Sequence, residues 1–320
     1  MLLNLGRRIA QLMVVFVVVT FFTVVLMSLV PGKPENLVIP FDNTPGQSLR
    51  QDFREQNNLD RALPVQWVKW AGRFVQGDLG NYYSASGTDP GTERRGPAIP
   101  VAVSLILYTQ ILSLVVAIPL AIWSAYRAGG WVDKIISTSA FAAISLPSFA
   151  VALILTYYLG VQMDLVPTQG YTRITDGIGD HIRSVIVPVI SLSLGQIAVY
   201  LRLLRSDLVA TLQEDFILMA KAKGVSNKRV LWGHALRPSS LTLLTVTGLS
   251  LGNLIGGTVV IEFLLGIPGV GTLIGHAILS RQYVALQSLV AIIAITFVLI
   301  NFIVDFLYTV LDPRIRERSA

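Results

Sequence analysis

Residues 214–240 read EDFILMAKAKGVSNKRVLWGHALRPSS, a basic and mixed stretch that lies between two long apolar runs. The charge-free runs on either side cover residues 184–201 and 238–261. A helix that crosses the hydrocarbon core of a bilayer needs about 20 apolar residues, so both runs are credible spans. The stretch between them is therefore expected to be a large loop on one side of a membrane.

The composition of the whole chain indicates a membrane protein. Hydrophobic residues make up 53% of the 320 residues and charged residues 14%, and the mean hydropathy of +0.63 is too high for the wet surface of a soluble domain. The net charge of +6 does not indicate nucleic-acid binding, because the basic residues lie in short loops beside apolar runs. The chain has no cysteine and its three histidines are far apart in sequence, so no disulfide and no metal site is expected.

Charge-free runs predict six transmembrane helices. These runs are residues 9–32, 96–126, 135–163, 184–201, 238–261 and 282–304. A further run, 263–280, is interrupted by glycines and a proline and is not counted as a span. Pro119, Pro147 and Pro188 lie inside or at the edge of spans and are expected to kink them. The predicted fold class is an all-α membrane protein with six transmembrane helices.

The distribution of Lys and Arg predicts the orientation of these spans. The N-terminus, the second and fourth loops and the C-terminal tail together hold fourteen basic residues, whereas the third and fifth loops hold three. By the positive-inside rule, both termini are expected in the cytoplasm. The expected location is the plasma (inner) membrane, as a multi-pass protein. The chain is then divided into an uncleaved anchor helix at 1–30, an extracytoplasmic region at 31–100, a five-helix core at 101–310 and a cytoplasmic tail at 311–320.

One short helix is predicted within the extracytoplasmic region. In residues 64–75, Val65, Val68, Ala71 and Val75 recur at helical spacing after a proline that suits a helix start. This pattern predicts an amphipathic helix on the outer surface, with packing as its role.

The cytoplasmic loop at 202–237 contains signals for a helix that ends at a glycine. Thr211 and Glu214 fit a capping box at its start, and Gly224 fits the residue that follows its C-terminus. The helix presents apolar Phe216 to one side. Two interpretations remain open from physics alone, a solvated basic loop on anionic lipid and a docking helix.

A second short helix is predicted in the same loop. It begins near Ser226 or Asn227 and runs to about Leu236, because Arg237 precedes Pro238 and the residue before a proline disfavours helix. Two short helices with a glycine corner are thus expected to project into the cytoplasm.

The loop resembles the EAA loop of ABC importer permeases, in the form found in the oligopeptide and dipeptide branch. The match lies in AKAKGVSNKRVLWGHALRPS at 220–239, although Leu218 takes the place of the motif glutamate and Arg237 that of the motif proline. Residues 88–99 form an insert relative to the family pattern. Four more blocks match in order: GDLGNYYSASG at 77–87, ISLPSF at 144–149, FLLGIPGVGTLIGHAILSRQY at 263–283 and LDPRIR at 311–316.

The resemblance implies a type I ABC importer permease fold and a complex. The implied partners are a second homologous permease, two cytoplasmic ATPases, an extracytoplasmic solute-binding protein and the surrounding membrane lipid, and the implied cargo is peptides. Residues around 213–228 form a coupling helix that fits a cleft on the ATPase. The residues implied in ATPase coupling are Asp215, Phe216, Met219, Ala220, Lys221, Lys223 and Gly224.

Two further sets of residues are candidates for the transport route. The candidate pathway residues, which equally suit hydrogen bonds between helices, are Gln196, Tyr200, Thr247 and Asn253. The glycine-rich stretch that the resemblance places at an outer gate contains Gly266, Pro268, Gly269 and Gly271.

Motifs for catalysis are missing from the sequence. No GxxxxGK[ST] loop and no HExxH motif occurs, so the chain is expected to bind no cofactor, while ATP and Mg²⁺ bind to the partner ATPases. A secondary carrier or a channel for small polar solutes is the alternative function. Ion coupling requires an ionisable group within the membrane, yet the charge-free runs contain none, and Glu262 and Asp305 lie just outside them.

Reporter fusions test the predicted orientation. Fusions after residues 60 and 175 are expected to report an extracytoplasmic location, and fusions after 130, 220 and 318 a cytoplasmic one, because the loop charges require this. An extracytoplasmic signal at residue 220 would remove the coupling hypothesis.

Overall fold

The fold was examined in a computed structural model of the chain, which describes residues 2–29, 51, 54–55, 58, 60–84, 87–280 and 282–311. Eleven α-helices occur in these ranges: α1 Leu2–Leu29, α2 Leu63–Val75, α3 Gly91–Tyr126, α4 Trp131–Ser145, α5 Ser148–Leu155, α6 Ile178–Thr211, α7 Asp215–Ala222, α8 Asn227–Arg229, α9 Leu236–Leu264, α10 Val270–Leu279 and α11 Tyr283–Leu311. Two π-helices, Thr156–Gln162 and Val230–Ala235, and a 3₁₀-helix, Ile174–Asp176, complete the helical elements.

A small antiparallel hairpin was not predicted. Strand β1, Asn81–Ser84, pairs with β2, Gly87–Pro90, and Asn81 lies opposite Pro90 in the register. Part of the insert at 88–99 thus forms the second strand, and the rest belongs to α3. The fold class predicted from the sequence, an all-α membrane protein, is confirmed in its main feature.

Long apolar helices supply the candidate spans. Among the described residues, four helical stretches are long and apolar enough to cross a membrane: Pro97–Tyr126, Ile178–Thr211, Asn227–Leu264 and Val284–Phe302. The bent pair Trp131–Ser145 and Ser148–Gln162 brings the number to five if it is one span. The remaining predicted span coincides with α1, in which the apolar stretch Met13–Leu26 is shorter than a full crossing of about 20 residues.

Pro147 breaks the predicted third span. The helix axes of α4 and Ser148–Gln162 differ by 96°. Leu146, with φ −95° and ψ 123°, has the extended conformation that a following proline favours, and Pro147 is the N-cap of α5. The other two prolines, Pro119 and Pro188, lie inside the continuous helices α3 and α6.

The chain forms two compact units, one of residues 1–102 with 268–299 and the other of 103–267 with 300–320. In the first unit, α2 packs against α1 and α11 through tryptophans. The indole N–H of Trp67 donates to Thr20 Oγ1 at 2.9 Å, and that of Trp70 donates to Ser288 Oγ at 3.1 Å. Trp70 is buried, and its ring lies 6.0 Å from that of Phe16.

The prediction of an amphipathic helix at α2 is confirmed, but the valine stripe is not its packed face. Val65, Val68 and Val75 are exposed. Aromatic side chains bury more apolar area than valine, and their N–H groups find hydroxyl acceptors on the neighbouring helices, so the tryptophan face packs inward.

Gly80, in the GDLG block, occupies a position that only glycine fits. Its φ is +75°, and a Cβ there would overlap the Val284 side chain. Asp78 Oδ1 accepts a hydrogen bond from the Gly80 N–H at 2.8 Å and fixes the turn.

In the second unit, the apolar core joins α3, α6, α7 and α9. Three of the core residues of α3 are alanines, whose small side chains let this helix approach its neighbours closely. The core residues are Ala117, Ala121, Ile122, Ala125, Tyr200, Leu201, Leu204, Leu208, Ile217, Val230, Leu231, Ala235 and Leu243.

We expect Trp70→Ala to lower the free energy of unfolding by about 3–5 kcal/mol, because it removes a buried ring and leaves a cavity. Trp70→Phe keeps an aromatic ring and removes the hydrogen bond to Ser288, for an expected loss of about 1 kcal/mol. Thermal unfolding in detergent measures both, with Val68→Ala on the exposed face of α2 as the control. Equal losses in Trp70→Ala and Val68→Ala would contradict the packing described.

Candidate docking site

The candidate site is the segment 212–226, which connects α6 to α8 and contains α7. The predicted capping box is wrong: α6 extends to Thr211, and α7 begins at Asp215 with Glu214 as an N-cap that makes no side-chain hydrogen bond. Thr211 Oγ1 instead lies 3.0 Å from Ser239 Oγ on α9. The Thr211 hydroxyl therefore joins two long helices and is not available to cap α7.

The predicted end of α7 is confirmed. Gly224 follows the C-cap Lys223 with φ +79°. The Val225 N–H donates to the Ala220 carbonyl at 3.2 Å, and the Gly224 N–H donates to that of Lys221 at 2.9 Å. This pair of hydrogen bonds is a Schellman motif, which requires a left-handed residue at Gly224.

Gly224 is also open to its surroundings. A Cβ built on it would meet no atom within 4 Å. Within this chain, substitution is therefore opposed by the backbone conformation and not by a steric clash.

α7 is attached to the helical core through Ile217. This side chain has no exposed surface and belongs to the same apolar core as Leu204 and Leu208 of α6. Ile217 was not predicted as a functional residue. It lies between Phe216 and Leu218, which are apolar like Ile217 in the sequence but exposed in the structure.

The free face of α7 combines apolar and basic side chains. Phe216, Leu218 and Met219 are 45%, 55% and 57% exposed, and Ala220 is half-buried. The charged side chains of α7 and its flanks are all exposed, namely Asp215, Lys221, Lys223, Lys228 and Arg229. Phe216, Leu218 and Met219 thus form an apolar ridge, with basic side chains beside it. Such a surface is suited to an apolar cleft that has acidic side chains at its edge.

The second predicted helix begins as expected but ends elsewhere. Ser226 is the N-cap of α8, yet the helical path continues from Asn227 to Leu264 without a stop before Pro238. A proline inside a helix crowds the carbonyl four residues earlier, here that of His234. His234 lies in the π-helix Val230–Ala235, whose wider turn accommodates an irregular hydrogen-bond ladder.

A partly buried ion pair joins α6 to α4. Arg205 Nε and Nη2 of α6 donate to Asp133 Oδ1 and Oδ2 of α4, each at 2.5 Å. Ser124 Oγ of α3 also donates to Oδ1, at 2.5 Å, and the Gly129 N–H donates to Oδ2 at 2.8 Å. The pair was not predicted from the sequence, although an aspartate in the otherwise basic turn 127–134 was a signal for it.

The structure separates the four candidate pathway residues. Tyr200 is fully buried, and its hydroxyl donates to Gln110 Oε1 of α3 at 3.1 Å and bonds to Ser250 Oγ of α9. Thr247 lies in the same region, since its carbonyl accepts from Ser250 Oγ at 2.8 Å. Gln196 is half-buried and Asn253 exposed, and neither takes part in these hydrogen bonds.

The four candidate gate residues fall at the end of α9 and the start of α10. Gly266, with φ +62°, follows α9, whereas Gly269 is the N-cap of α10 and Gly271 lies buried within it. Pro268 is exposed. The Gly170 N–H donates to the Leu265 carbonyl at 2.9 Å, so the loop before α6 is joined to the end of α9.

A buried histidine joins the same loop to α3. His181 Nδ1 lies 2.8 Å from the Thr172 carbonyl, and Nε2 lies 3.1 Å from the Tyr108 hydroxyl. This histidine, which the sequence showed only as a poor metal ligand, is a structural contact between the loop and two helices.

Comparisons with known proteins agree with these features. Residues 117–317 match the family described as the inner membrane component of binding-protein-dependent transport systems. The chain is 34% identical over 310 residues to a probable peptide ABC transporter permease of Sinorhizobium fredii, which covers 97% of this chain and 98% of the relative. It is 33% identical over 311 residues to an oligopeptide transport system permease of Bacillus subtilis, with 97% and 98% covered.

Another relative and a solved structure extend the comparison. A nickel import system permease of Staphylococcus aureus is 34% identical over 316 residues, covering 97% of this chain and 90% of the relative. The inward-facing MetNI methionine ABC transporter is 14% identical, with a TM-score of 0.57 over 70% of this chain and 98% of that one, and shows the fold. The chain therefore belongs to the family of binding-protein-dependent transport system inner membrane components, the permease subunits of ABC importers.

Proposed function

We propose that this chain imports peptides in an ATP-driven complex and receives the energy of ATP hydrolysis through α7. The observation that carries the proposal is the attachment of α7, whose Ile217 is buried in the core of the spans while its Phe216 and Met219 are exposed. A helix attached in this way passes a push from a partner directly into α3, α6 and α9. Exposed apolar side chains at this position are suited to a protein partner.

The proposed partner at α7 is a cytoplasmic ATPase. Asp215, Phe216, Met219, Ala220, Lys221, Lys223 and Gly224 form the proposed contact surface. The apolar ridge enters a cleft of the ATPase, and the basic side chains face its acidic border. α7 is then on the cytoplasmic side, together with both termini, as the loop charges indicate.

The proposed assembly contains this chain, a second homologous permease, two ATPases and an extracytoplasmic solute-binding protein. ATP and Mg²⁺ bind to the ATPases, since this chain carries no phosphate-binding loop in its sequence. The chain itself performs no chemistry and supplies half of a route through the bilayer.

The cargo is proposed from the relatives. Two of the relatives compared are named for peptide or oligopeptide transport and match nearly the whole chain. A second candidate cargo is a nickel complex, because a nickel import permease is equally similar. A polar but uncharged route suits either cargo, and the binding protein decides between them.

The route itself is proposed to use Gln196 and Asn253 more than Tyr200. Tyr200 is fully buried and its hydroxyl is committed to Gln110 and Ser250, so it joins three helices in the conformation described. Thr247 lies beside it. The gate at Gly266 and Pro268 is proposed to face the binding protein.

Uptake measurements test the proposed function. The tagged chain is purified with its associated subunits and placed in proteoliposomes, and uptake of a labelled mixture of tri- to pentapeptides is measured. We expect uptake that requires both ATP and the binding protein. Uptake without ATP would indicate a carrier or channel, and uptake of a labelled nickel chelate but not of peptides would identify the second cargo.

We expect Gly224→Val to weaken coupling. A β-branched residue at φ +79° costs about 1 kcal/mol or more, which corresponds to a loss of ATP-driven uptake of about fivefold or more. Gly224→Asn is the matched control, because asparagine tolerates the left-handed region. Parental uptake in Gly224→Val, with the ATPase still bound, would show that α7 is only a lipid-facing segment.

A further inference from the structure

We propose that Asp133 and Arg205 are positioning residues that transmit the movement of α7 from α6 to α4. The inference rests on the proposed function, because it assumes that an ATPase moves α7. It goes further by assigning the transmission to a particular ion pair, which lies outside the docking surface.

The geometry of the ion pair fixes α4 and α6 relative to each other. Both carboxylate oxygens of Asp133 accept from Arg205 in a bidentate arrangement, which fixes the orientation as well as the distance of the two side chains. Ser124 and the Gly129 N–H supply one further donor to each oxygen. The carboxylate thus holds α3, the turn after it, α4 and α6 at one point.

Partial burial strengthens the ion pair. Asp133 is 4% exposed, and the Arg205 side chain is 28% exposed. A partly buried pair is screened less than an exposed one, and removal of Arg205 would leave a buried carboxylate without its partner. In the proposed mechanism the pair stays closed while α6 moves.

The ion pair is next in sequence to the apolar core that holds α7. Arg205 follows Leu204, which belongs to the same core as Ile217. On α3, Ser124 lies between Ile122 and Ala125, which also belong to this core. A displacement of α7 thus reaches the ion pair through the core and the backbones of α3 and α6.

The ion pair adds directional bonds to apolar contacts that have no fixed direction. α3 contributes Ala117, Ala121, Ile122 and Ala125 to the core, whereas α4 packs against it with the partly buried Ile136 and Ala140. The bonds of Asp133 therefore fix α4 relative to α3 and α6. A buried ion pair is weak evidence for stability, and the fixing of register is its better-supported use.

A cysteine reporter beyond the bent pair of α4 and Ser148–Gln162 tests the inference, because α4 carries Asp133 and is joined to α6 by the ion pair. Met163 follows this bent pair and is 59% exposed. The chain has no cysteine, so Met163→Cys supplies its single thiol. The rate of labelling by a membrane-impermeant maleimide is compared between complexes trapped with ATP and vanadate and complexes without nucleotide. This readout requires no knowledge of the cargo.

In the parent, Met163→Cys alone, we expect the two labelling rates to differ. Addition of Asp133→Asn is expected to bring their ratio to about one, since α4 is then no longer coupled to α6. ATPase co-purification and ATP hydrolysis are expected to persist, because Ile217 and the exposed face of α7 are intact. Arg205→Lys, which keeps the charge but not the bidentate bond, is expected to give an intermediate ratio.

Asp60→Asn is the matched control, because it breaks an exposed ion pair with Arg54 and is expected to keep the parental ratio. A parental ratio in Asp133→Asn would overturn the inference. Loss of the ATPase from both Asp133→Asn and Arg205→Lys would also overturn it, since the pair would then serve only the fold. Equal labelling rates in the parent would instead overturn the proposed function, and the inference with it.

Discussion

The attachment of α7 depends on one apolar contact. Ile217 is the only residue of this eight-residue helix that is buried, and it belongs to the apolar core that α3, α6 and α9 share. A short helix has little stability of its own, because nucleation is unfavourable and few hydrogen bonds follow it. Burial of a whole isoleucine side chain contributes about 1.5–3 kcal/mol, enough to hold such a helix in place. The remaining side chains of α7 are then free to contact a partner.

The polar contacts of α6 show how one helix serves several purposes. His181 bonds to the loop before α6 and to α3, Tyr200 to α3 and α9, and Arg205 to α4. Away from water, a buried polar side chain is stabilised by such a partner. These bonds therefore link α6 to α3, α4 and α9, each at a defined point.

Local sequence patterns predicted which helices occur better than they predicted the residues at which each helix begins and ends. The helix end at Gly224 and the break at Pro147 followed from backbone preferences that tertiary structure did not oppose. The capping box at Thr211 was wrong because the span extended further than its apolar run, and Thr211 bonded to Ser239 instead. The helix end predicted before Pro238 was also wrong, because the π-helix Val230–Ala235 accommodates this proline. The ion pair of Asp133 and Arg205 and the burial of Ile217 could not be predicted, because both depend on which helices are neighbours. A single sequence does not contain this information.

The indole contact of Trp70 has a consequence for biosynthesis. It joins α2 to Ser288, a residue 218 positions later in the chain. Contacts between residues so distant in sequence form late, since the second residue must first be synthesised and inserted. During translation, α2 therefore waits at the membrane surface with its aromatic face uncovered by α11. The ribosome must add 218 further residues after Trp70 before this contact can form, so the arrival of α11 is the step that closes the aromatic face of α2.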